Sequence, residues 1–331
     1  MEQQETIDIL MATYNGEKYL KEQIESILNQ TYKNIRLIIS DDCSKDDTVS
    51  IIKEYEKRDK RVITYIQEKN LGYIKNFEFL LKKVENRIYM LSDQDDVWNE
   101  DKIEKTYTKL KEENADLVFT DLEVVDSNLT TMFSSFNTYM KLQRKITKYS
   151  GVERQYLYNC ITGCTILSKK EFIDKMMPFP SESKYVVHDM WIGIIVAMCG
   201  KVVYLNEKTI KYRQHGNNQV GTEKISHGFT KFKDVRDLFV NVKLAVFSAY
   251  VKNEDKFIEP WKELNKKALN YYENIKDCKY INFKGWNIFH KLYKYETIYY
   301  YLLSFIIMNF PILGNILFKI RNTLNRAKRK E

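Results

Sequence analysis

Three carboxylates lie within four residues, at Asp93, Asp95 and Asp96, directly after the largely apolar stretch 87–91. Carboxylates set this close repel one another and resist ionising together, which favours a divalent cation as their partner. Mg²⁺ and Mn²⁺ prefer hard oxygen ligands, so one of these ions is the expected cofactor. The alternative for an isolated acidic triplet is a solvated loop that caps the next helix.

A second acidic pair strengthens the case for a ligand site. Asp41 and Asp42 end the earlier apolar run 35–40, just as the triplet follows 87–91. In open parallel sheets, ligands bind beyond the carboxyl ends of the strands. Two acidic strand ends therefore predict a single cleft at one edge of a sheet.

The elements that would position these carboxylates alternate along the chain. Apolar and β-branched runs predict strands, and apolar residues at helical spacing predict the helices between them. The predicted strands are 6–12, 35–39, 62–66, 87–91 and 115–120, and helices are expected around 20–28, 49–55, 77–84 and 99–111. This alternation implies right-handed crossovers and a mainly parallel α/β sheet that is flanked by helices.

The chain is less regular after residue 120. Residues 121–150 are polar and aperiodic, which predicts a flexible loop. Beyond it, the patterns are typical of a strand at 161–168, a buried helix at 188–199, and short closing strands at 201–205 and 209–212. These elements complete a predicted domain over residues 1–222.

Length and composition limit the class of protein. A chain of 331 residues accommodates one large α/β domain and an appendage. Five cysteines form neither a CxxC pair nor an even disulfide set, and no basic-then-apolar leader opens the chain, so we expect reduced thiols and a cytosolic location. Cys160 and Cys164 lack a second pair at zinc spacing, and we interpret them as small packed side chains.

The net charge of +8 is concentrated in a basic region, 223–331, in which helical patterns predominate. Within it, residues 297–318 carry no charge but are interrupted by Asn309, Pro311 and Gly314, and six cations follow up to Lys330. This pattern predicts an interfacial or re-entrant segment on an anionic membrane surface, at the cytoplasmic face of the cell membrane, and not a nucleic-acid partner. The alternative is an apolar helical pair that packs on the catalytic domain or on a second copy in a homodimer.

Sequence motifs narrow the class further. No GxGxxG or GxxxxGK[ST] motif occurs, which argues against a dinucleotide dehydrogenase or a P-loop enzyme. Residues 5–220 instead resemble the family 2 glycosyltransferases, which have the GT-A fold. The resemblance rests on motifs in the expected order, which are MATYNG at 11–16, QTY at 30–32, SDDCSKDDT at 40–48, NLG at 70–72 with Asn76, and DQDD at 93–96 as the DxD element. Cys43 stands where this family commonly has glycine.

Three further segments resemble a narrower branch, the bacterial rhamnosyltransferases that build cell-surface polysaccharides. These segments are DDVW at 95–98, HDMW at 188–191 and YRQHGNN at 212–218. The resemblance implies an inverting transferase that moves L-rhamnose from dTDP-rhamnose, a nucleotide-sugar donor, onto a lipid-linked glycan. A UDP-hexose donor is the alternative within this class. A nucleotidyltransferase, or a non-catalytic membrane scaffold that keeps the fold, remains open outside it.

The resemblance also implies the donor-side roles of individual residues. By this resemblance Asp95 ligates the metal, with Asp93 and Asp96 close by. Independently of the family, a neutral His215 imidazole would complete the metal shell, and the alternative is a loop histidine that is only hydrogen-bonded. A cation held there would stabilise, as a Lewis acid, the negative charge that grows on the leaving diphosphate. The contacts to the nucleotide sugar are expected from Ala12, Tyr14, Asn15, Asp41, Asp42, Asn70, Gly72, Asn76, Asp93, Gly163 and Arg213.

On the acceptor side, the resemblance implies that Asp189 is the catalytic base. It lies at the start of a predicted apolar helix, so a plain helix cap is the alternative. His188, Trp191 and Trp98 are expected to contact the acceptor, with Trp191 either a stacking platform for a sugar or part of the core.

Overall fold

The computed structural model describes residues 4–140, 142, 152, 159–180, 183–215, 232–276, 286–293, 305–306 and 309–310. Contacts divide the chain into two compact units. The first unit comprises residues 1–179 and 187–221, and the second comprises residues 180–186 and 222–331.

The first unit is built on a nine-stranded sheet. Its strands are β1 (Ile7–Thr13), β2 (Ile35–Asp41), β3 (Val62–Ile66), β4 (Ile88–Ser92), β5 (Val97–Trp98), β6 (Leu117–Val125), β7 (Thr131–Phe133), β8 (Leu167–Lys169) and β9 (Val202–Arg213). Their order across the sheet is β3, β2, β1, β4, β8, β6, β9, β5, with β7 paired to β6.

Helices connect the strands of this unit. They are α1 (Leu20–Leu28), α2 (Thr48–Arg58), α3 (Tyr73–Leu81), α4 (Lys102–Glu112), α5 (Phe136–Tyr139), α6 (Ile173–Met176) and α7 (His188–Cys199), with 3₁₀ turns at Gly163–Thr165 and Lys170–Phe172. Helix α7 is apolar on all sides and buried from Met190 to Met198, as expected for a helix inside a domain.

The first four strands confirm the parallel α/β expectation. β1 pairs in parallel with β2 and β4, and β2 pairs in parallel with β3. Residues of β1 are buried on both faces of the sheet, because helices cover both sides. Side chains from β1, β2, β4, α1 and α2 share one apolar core, including Ile9, Ile24, Ile39, Ile52 and Met90.

The second half of the sheet is mixed. β8 runs antiparallel to both β4 and β6, and β5 runs antiparallel to β9, whereas β6 and β9 are parallel. The mainly parallel description therefore applies to the first four strands, and a helix-flanked α/β sheet is confirmed for the unit as a whole.

Several local predictions differ from the structure. The strand predicted at 115–120 continues to Val125, and the hairpin strand β7 and helix α5 follow it, so residues 121–139 are not one irregular loop. The strand predicted at 161–168 begins as a 3₁₀ turn and is extended only over β8. The two closing strands form one strand, β9, because β6 pairs with it along most of its length despite two register shifts.

The second unit contains the helices α8 (Phe232–Lys252), α9 (Trp261–Lys276) and α10 (Trp286–Tyr293). Aromatic rings join them: Phe247 of α8 stacks on Tyr272 of α9 with centroids 5.6 Å apart. Among the helices in the described part of the chain, none combines the length and the apolar character that crossing a bilayer requires. The uncharged segment 297–318 lies almost entirely outside the described residues.

Candidate active site

The carboxyl ends of the parallel strands bring the two acidic segments to one edge of the sheet. Thr13, the last residue of β1, is in register with Asp41 of β2, and Met11 is in register with Ser92 of β4. The loop after β4, residues 93–96, therefore begins beside the end of β1. Gln23 of α1 supports this loop by donating from Nε2 to Ser92 Oγ at 2.8 Å and to the Asp93 carbonyl at 3.1 Å.

Strand β9 brings His215 to this loop. The two residues of β5 pair antiparallel with β9, which places the end of β9 next to the residues just before β5. The Arg213 amide donates to Asp96 Oδ1 at 3.1 Å, and His215 Nε2 lies 2.8 Å from Asp95 Oδ2. The structure thus places together Asp95 and His215, the two residues assigned as direct metal ligands.

The predicted role of Arg213 at the diphosphate is not supported. Its side chain is 2 % exposed. Nε donates to the Asp95 carbonyl at 2.9 Å, Nη1 donates to the Ser127 carbonyl at 2.7 Å, and Nη2 donates to the Glu22 carboxylate. The guanidinium therefore fixes residues 93–96, the metal loop of the candidate site, to their surroundings. Its burial keeps it away from a ligand.

A cluster of Asp93, Asp96 and Cys164 adjoins the Asp95–His215 pair, with Asp96 and Cys164 buried and Asp93 partly exposed. The ligand atoms of Asp93, Asp96 and Cys164 all lie within 4.8 Å of one another. Burial, with the charges of Asp95 and Asp189, raises the pKa of Asp93 to about 7. Burial, with the charges of Asp95 and Asp93, also raises the pKa of Asp96 well above its ordinary value.

Lys102 stands behind this cluster. It is fully buried, and its Nζ donates to the Cys164 carbonyl at 3.1 Å. Burial lowers the pKa of Lys102 to about 8, although the nearby Cys164 and Asp96 act in the opposite direction. A buried cation offsets part of the carboxylate repulsion, yet Asp96 Oδ2 still has no hydrogen-bond partner in the described residues.

These donors fit a divalent cation. The oxygens of Asp93 and Asp96 converge with the Cys164 sulfur, and the Asp95–His215 pair supplies a further carboxylate and an imidazole nitrogen. The carboxylate oxygens are the hard ligands that suit Mn²⁺ or Mg²⁺. Burial, followed by repulsion between the carboxylates, raises the pKa values of Asp93 and Asp96, and one Asp96 oxygen has no hydrogen-bond partner in the described residues. A bound cation would offset the repulsion and supply that oxygen with a partner.

The raised pKa of Asp93 predicts that cation binding strengthens as pH rises. Below about pH 7 the carboxyl holds a proton that a cation must displace, so the association constant is expected to rise by up to ~tenfold per pH unit for each proton released. Without metal the sign is reversed, because the folded state holds the extra proton, and the stability of the fold should fall as pH rises from 3.8 towards 7.

Titration of Mn²⁺ by electron paramagnetic resonance at pH 5.5, 6.5 and 7.5 measures this dependence. The Asp93→Asn variant, which has no proton to release at this position, is the control and should show a shallower slope. An affinity that is independent of pH in the unaltered protein would contradict the assignment.

Asp189 lies in the same site, because it is hydrogen-bonded to Gly163 and the next residue, Cys164, lies within 4.8 Å of the Asp93 and Asp96 carboxylates. Its Oδ1 accepts from Asn159 Nδ2 at 2.8 Å, and its Oδ2 accepts from the Gly163 amide at 3.2 Å. The residue that caps α7 is Val187, so Asp189 is in the first turn and is not a plain cap. These contacts fix the orientation of the carboxylate that is expected to act as the base.

Gly163 has a steric role beside this base. A Cβ at this position would lie 2.7 Å from His188 Nε2 and 3.6 Å from Asp189 Cβ. The distance to Asp189 is ordinary contact, but a Cβ would clash with His188, so the close approach predicted here is made by a protein side chain. No contact to a donor sugar is needed to explain this glycine.

The nucleotide-side loops hold one another in place. Asp42 accepts from the amides of Leu71 and Gly72, at 2.6 and 2.8 Å, and Asn70 Oδ1 accepts from the same Gly72 amide at 3.0 Å. The backbone N–H of Asn15 donates to Ser44 Oγ at 2.8 Å. The loops after β1 and β2 and the loop before α3 therefore form one connected rim.

Parts of this rim remain accessible to a nucleotide. Tyr14 is 46 % exposed, Asn15 is exposed, and Ala12 is half-buried at the end of β1. Cys43 adopts φ 66°, a left-handed conformation that explains why glycine is common at this position in the family.

Two predicted nucleotide contacts are buried instead. Asp41 is wholly buried and accepts from Thr13 Oγ1 at 3.0 Å and from the Ser44 amide at 2.9 Å, so it braces the turn after β2. Asn76 is 1 % exposed and donates from Nδ2 to the Ser40 carbonyl at 2.8 Å, which ties α3 to β2. Both side chains therefore stabilise the rim through buried hydrogen bonds and are not available to a nucleotide.

The predicted acceptor contacts are also buried. Trp98 belongs to the apolar core, with Lys102 Nζ 4.5 Å from its ring centroid, and Trp191 is wholly buried with its Nε1 donating to the Met176 carbonyl at 2.8 Å. His188 stacks on Phe77 with centroids 4.3 Å apart, and burial lowers its pKa. For Trp191 the structure selects the core alternative over the stacking platform.

The sequence interpretation missed several residues of the site. Asn159 and Lys102 belong to no motif, and no local pattern in the sequence indicates that they are part of the site. Cys164 was interpreted as a packed side chain, and it is buried, but it lies against Asp93 and Asp96. Gln94, to which the sequence analysis assigns no role, bonds to Tyr14 on the opposite loop.

Comparisons with known proteins agree with this architecture. Residues 8–176 match the family described as Glycosyl transferase family 2. The chain is similar to dTDP-rhamnosyl transferase RfbG of Shigella flexneri, with 32 % identity over 294 residues that cover 79 % of this chain and 96 % of the relative. It is also similar to the putative teichuronic acid biosynthesis glycosyltransferase TuaG of Bacillus subtilis, with 26 % identity, 47 % of this chain and 60 % of the relative.

Two solved structures share the fold. One is S. aureus TarS 1-349 in complex with UDP-GlcNAc, with a TM-score of 0.56, 17 % identity, and coverage of 81 % of this chain and 72 % of that one. The other is the mannosyltransferase PcManGT from Pyrobaculum calidifontis in complex with GDP-Man and Mn²⁺, with a TM-score of 0.57, 12 % identity, and coverage of 98 % and 81 %. The family match and the identity to a relative along most of its length show that the chain belongs to glycosyltransferase family 2 and is a glycosyltransferase of the GT-A fold.

Proposed function

We propose that the protein is an inverting, Mn²⁺- or Mg²⁺-dependent transferase that moves L-rhamnose from dTDP-rhamnose onto a lipid-linked glycan during synthesis of a cell-surface polysaccharide. The observation that carries the reaction type is the arrangement of Asp189, a carboxylate held by Asn159 and Gly163, in the same site as the Asp93–Asp96 loop. The relative named as a dTDP-rhamnosyl transferase supports the choice of donor.

The residues divide between the two substrates. Asp95 and His215 would hold the cation, with Asp93 and Asp96 adding negative charge around it. When bound, the cation neutralises the charge that develops on the leaving diphosphate. The Tyr14–Asn15 turn and the rim held by Asp42 would receive the nucleoside.

Asp189 would remove the proton from the attacking hydroxyl of the acceptor. Its two oxygens are oriented by the Asn159 side chain and the Gly163 amide, so positioning contributes more than intrinsic basicity. Attack from the face opposite the leaving diphosphate replaces one bond at the anomeric carbon with another and inverts its configuration.

The proposed lipid-linked acceptor and the proposed membrane location are inferred from the sequence of the C-terminal region. The uncharged segment 297–318 and the six cations that follow it are the features that favour a peripheral or monotopic position at the cytoplasmic leaflet. A lipid-linked glycan presented at that surface would be delivered to the site without leaving the membrane.

A donor screen tests the proposal. Purified protein with Mn²⁺ is titrated with dTDP-rhamnose, UDP-glucose and UDP-GlcNAc, and thermal unfolding reports binding. A donor at a hundredfold excess over its Kd should add about 2.7 kcal/mol of stability, which is a clear shift in Tm. We expect the largest shift with dTDP-rhamnose and release of dTDP during turnover. A larger Tm shift with a UDP-hexose would show that the donor is a UDP-sugar, and the assignment as a transferase would stand.

A further inference from the structure

Gln94 joins two loops that are far apart in the sequence. The Tyr14 amide donates to Gln94 Oε1 at 2.8 Å, and Gln94 Nε2 donates to the Tyr14 carbonyl at 3.1 Å. One side-chain amide thus pairs with the backbone of one residue in both directions. The metal loop that contains Asp93 and Asp95 is thereby fastened to the turn after β1 by a residue that has no ligand role.

Gly16 has the steric property that this contact requires. A Cβ at Gly16 would lie 2.3 Å from Gln94 Oε1 and 2.6 Å from Gln94 Cδ, so any side chain at this position would displace the amide. The turn is held independently on its other side, because the Gly16 amide donates to Thr48 Oγ1 at 2.8 Å. Displacing Gln94 would therefore loosen one side of the turn and leave the other side in place.

The turn fastened by Gln94 is on the nucleoside side of the site. Asn15 bonds to both Ser44 and Lys45 in the loop after β2, and that loop follows Asp42, which holds the rim before α3. Tyr14 and Asn15 are the exposed residues of the turn. Gln94 is thus the connection between the loop that receives the cation and the rim that receives the base and ribose.

We propose that Gln94 is a positioning residue for the nucleoside part of the donor, acting through the Tyr14–Gly16 turn and independently of the cation. The proposal rests on the proposed function for the identity of the ligand, a nucleoside diphosphate. A residue in the middle of a metal-binding element would then control an interaction in which the metal takes no part.

The Gln94→Met variant tests the proposal, because methionine keeps the length of the side chain and removes both hydrogen bonds. Binding of dTDP and UDP is measured by calorimetry in excess EDTA. Loss of two hydrogen bonds that order the turn is expected to weaken binding by ~10-fold. The affinity of the nucleotide-free protein for Mn²⁺ should stay within twofold, and with metal present KM for the donor should rise while kcat changes little.

Gly16→Ala gives the same test by another route. The added methyl group would push the flexible end of Gln94 aside without touching its chemistry. If both variants act through one contact, the double variant should bind nucleotide no more weakly than Gln94→Met alone. Gln4→Met, an exposed glutamine that precedes β1 at the other end of the strand, is the matched control and should bind normally.

The outcomes separate this proposal from the proposed function. Unchanged metal-free nucleotide binding in Gln94→Met would overturn the role of Gln94, and so would a loss confined to Mn²⁺ affinity. If Gln94→Met does not fold, as judged by its thermal transition, Gly16→Ala alone decides in the same way. If the unaltered protein binds neither dTDP nor UDP even with Mn²⁺ present, the donor class itself is wrong, and the positioning role is wrong with it. If it binds them only with Mn²⁺, the independence of Gln94 from the cation is overturned and the donor class is retained.

Discussion

Replacing Asp95 with alanine is expected to reduce sugar transfer by at least ~10³-fold, the scale seen when the charge stabilisation of a transition state is removed. Asp95 lies 2.8 Å from His215, and its carboxylate is one of the ligands of the proposed cation site. Its backbone carbonyl, which accepts from Arg213, is unaffected by the substitution. The loop should therefore keep its position while the site loses its counter-charge for the diphosphate.

The same substitution is expected to leave the metal-free protein at least as stable as the parent. The charge of Asp95 contributes to the raised pKa of both Asp93 and Asp96, so its removal relieves repulsion between carboxylates. Turnover with Mn²⁺ and the Tm in EDTA are the two measurements, and the exposed Asp174→Ala substitution is the control. Full turnover of the Asp95→Ala variant, or of the parent in excess chelator, would refute metal dependence.

Replacing Asp189 with asparagine is expected to lower kcat by at least ~10²-fold while donor affinity changes little, because a positioned base is lost and the cation site is not. The geometry predicts a modest loss of stability as well. Asp189 accepts hydrogen bonds through both oxygens, from Asn159 and from the Gly163 amide, and an asparagine amide would face one of these donors with its own N–H groups.

A second effect identifies the charge of Asp189 directly. Because a nearby negative charge attracts a divalent cation more strongly than it attracts the single proton that the cation displaces from Asp93, the Asp189→Asn variant should bind Mn²⁺ more weakly than the parent at pH 6. Initial rates, donor titration by calorimetry and Mn²⁺ titration are the measurements. If turnover survives and donor affinity collapses, Asp189 belongs to the donor site and another group must act as the base.

The parallel half of the fold was predictable because long apolar runs and helical spacing alternate there, as in Ile35–Asp41 and Leu20–Leu28. The antiparallel half was not. β5 has two residues and β8 has three, which is too few for a period to show, and both are defined by pairing with distant strands. The sequence also did not show that β9 is continuous, because its middle residues are exposed and polar and its pairing with β6 shifts register there.

The sequence predicted the site residues that have reactive side chains and follow the ends of strands. It predicted less well the residues whose role depends on whether the side chain is buried. The carboxylates that end β2 and β4, the two parallel neighbours of β1, share one edge by topology, and His215 reaches them just after the end of β9. Arg213 and Trp191 have side chains that serve equally well as ligand contacts or as core, and residue type does not distinguish the two. Asn159 is found only from the folded position of Asp189, since 30 residues separate the two.

The position of β9 in the sheet has a practical consequence for dissecting the enzyme. The stretch that matches the family ends at residue 176, before α7 and β9 begin. A fragment trimmed to that stretch would lack both Asp189 and His215. It would also leave β6 without its parallel neighbour, so that the exposed edge would invite association between copies. The shortest fragment that retains the site therefore ends beyond His215, forty residues later than a boundary drawn from family similarity alone would suggest.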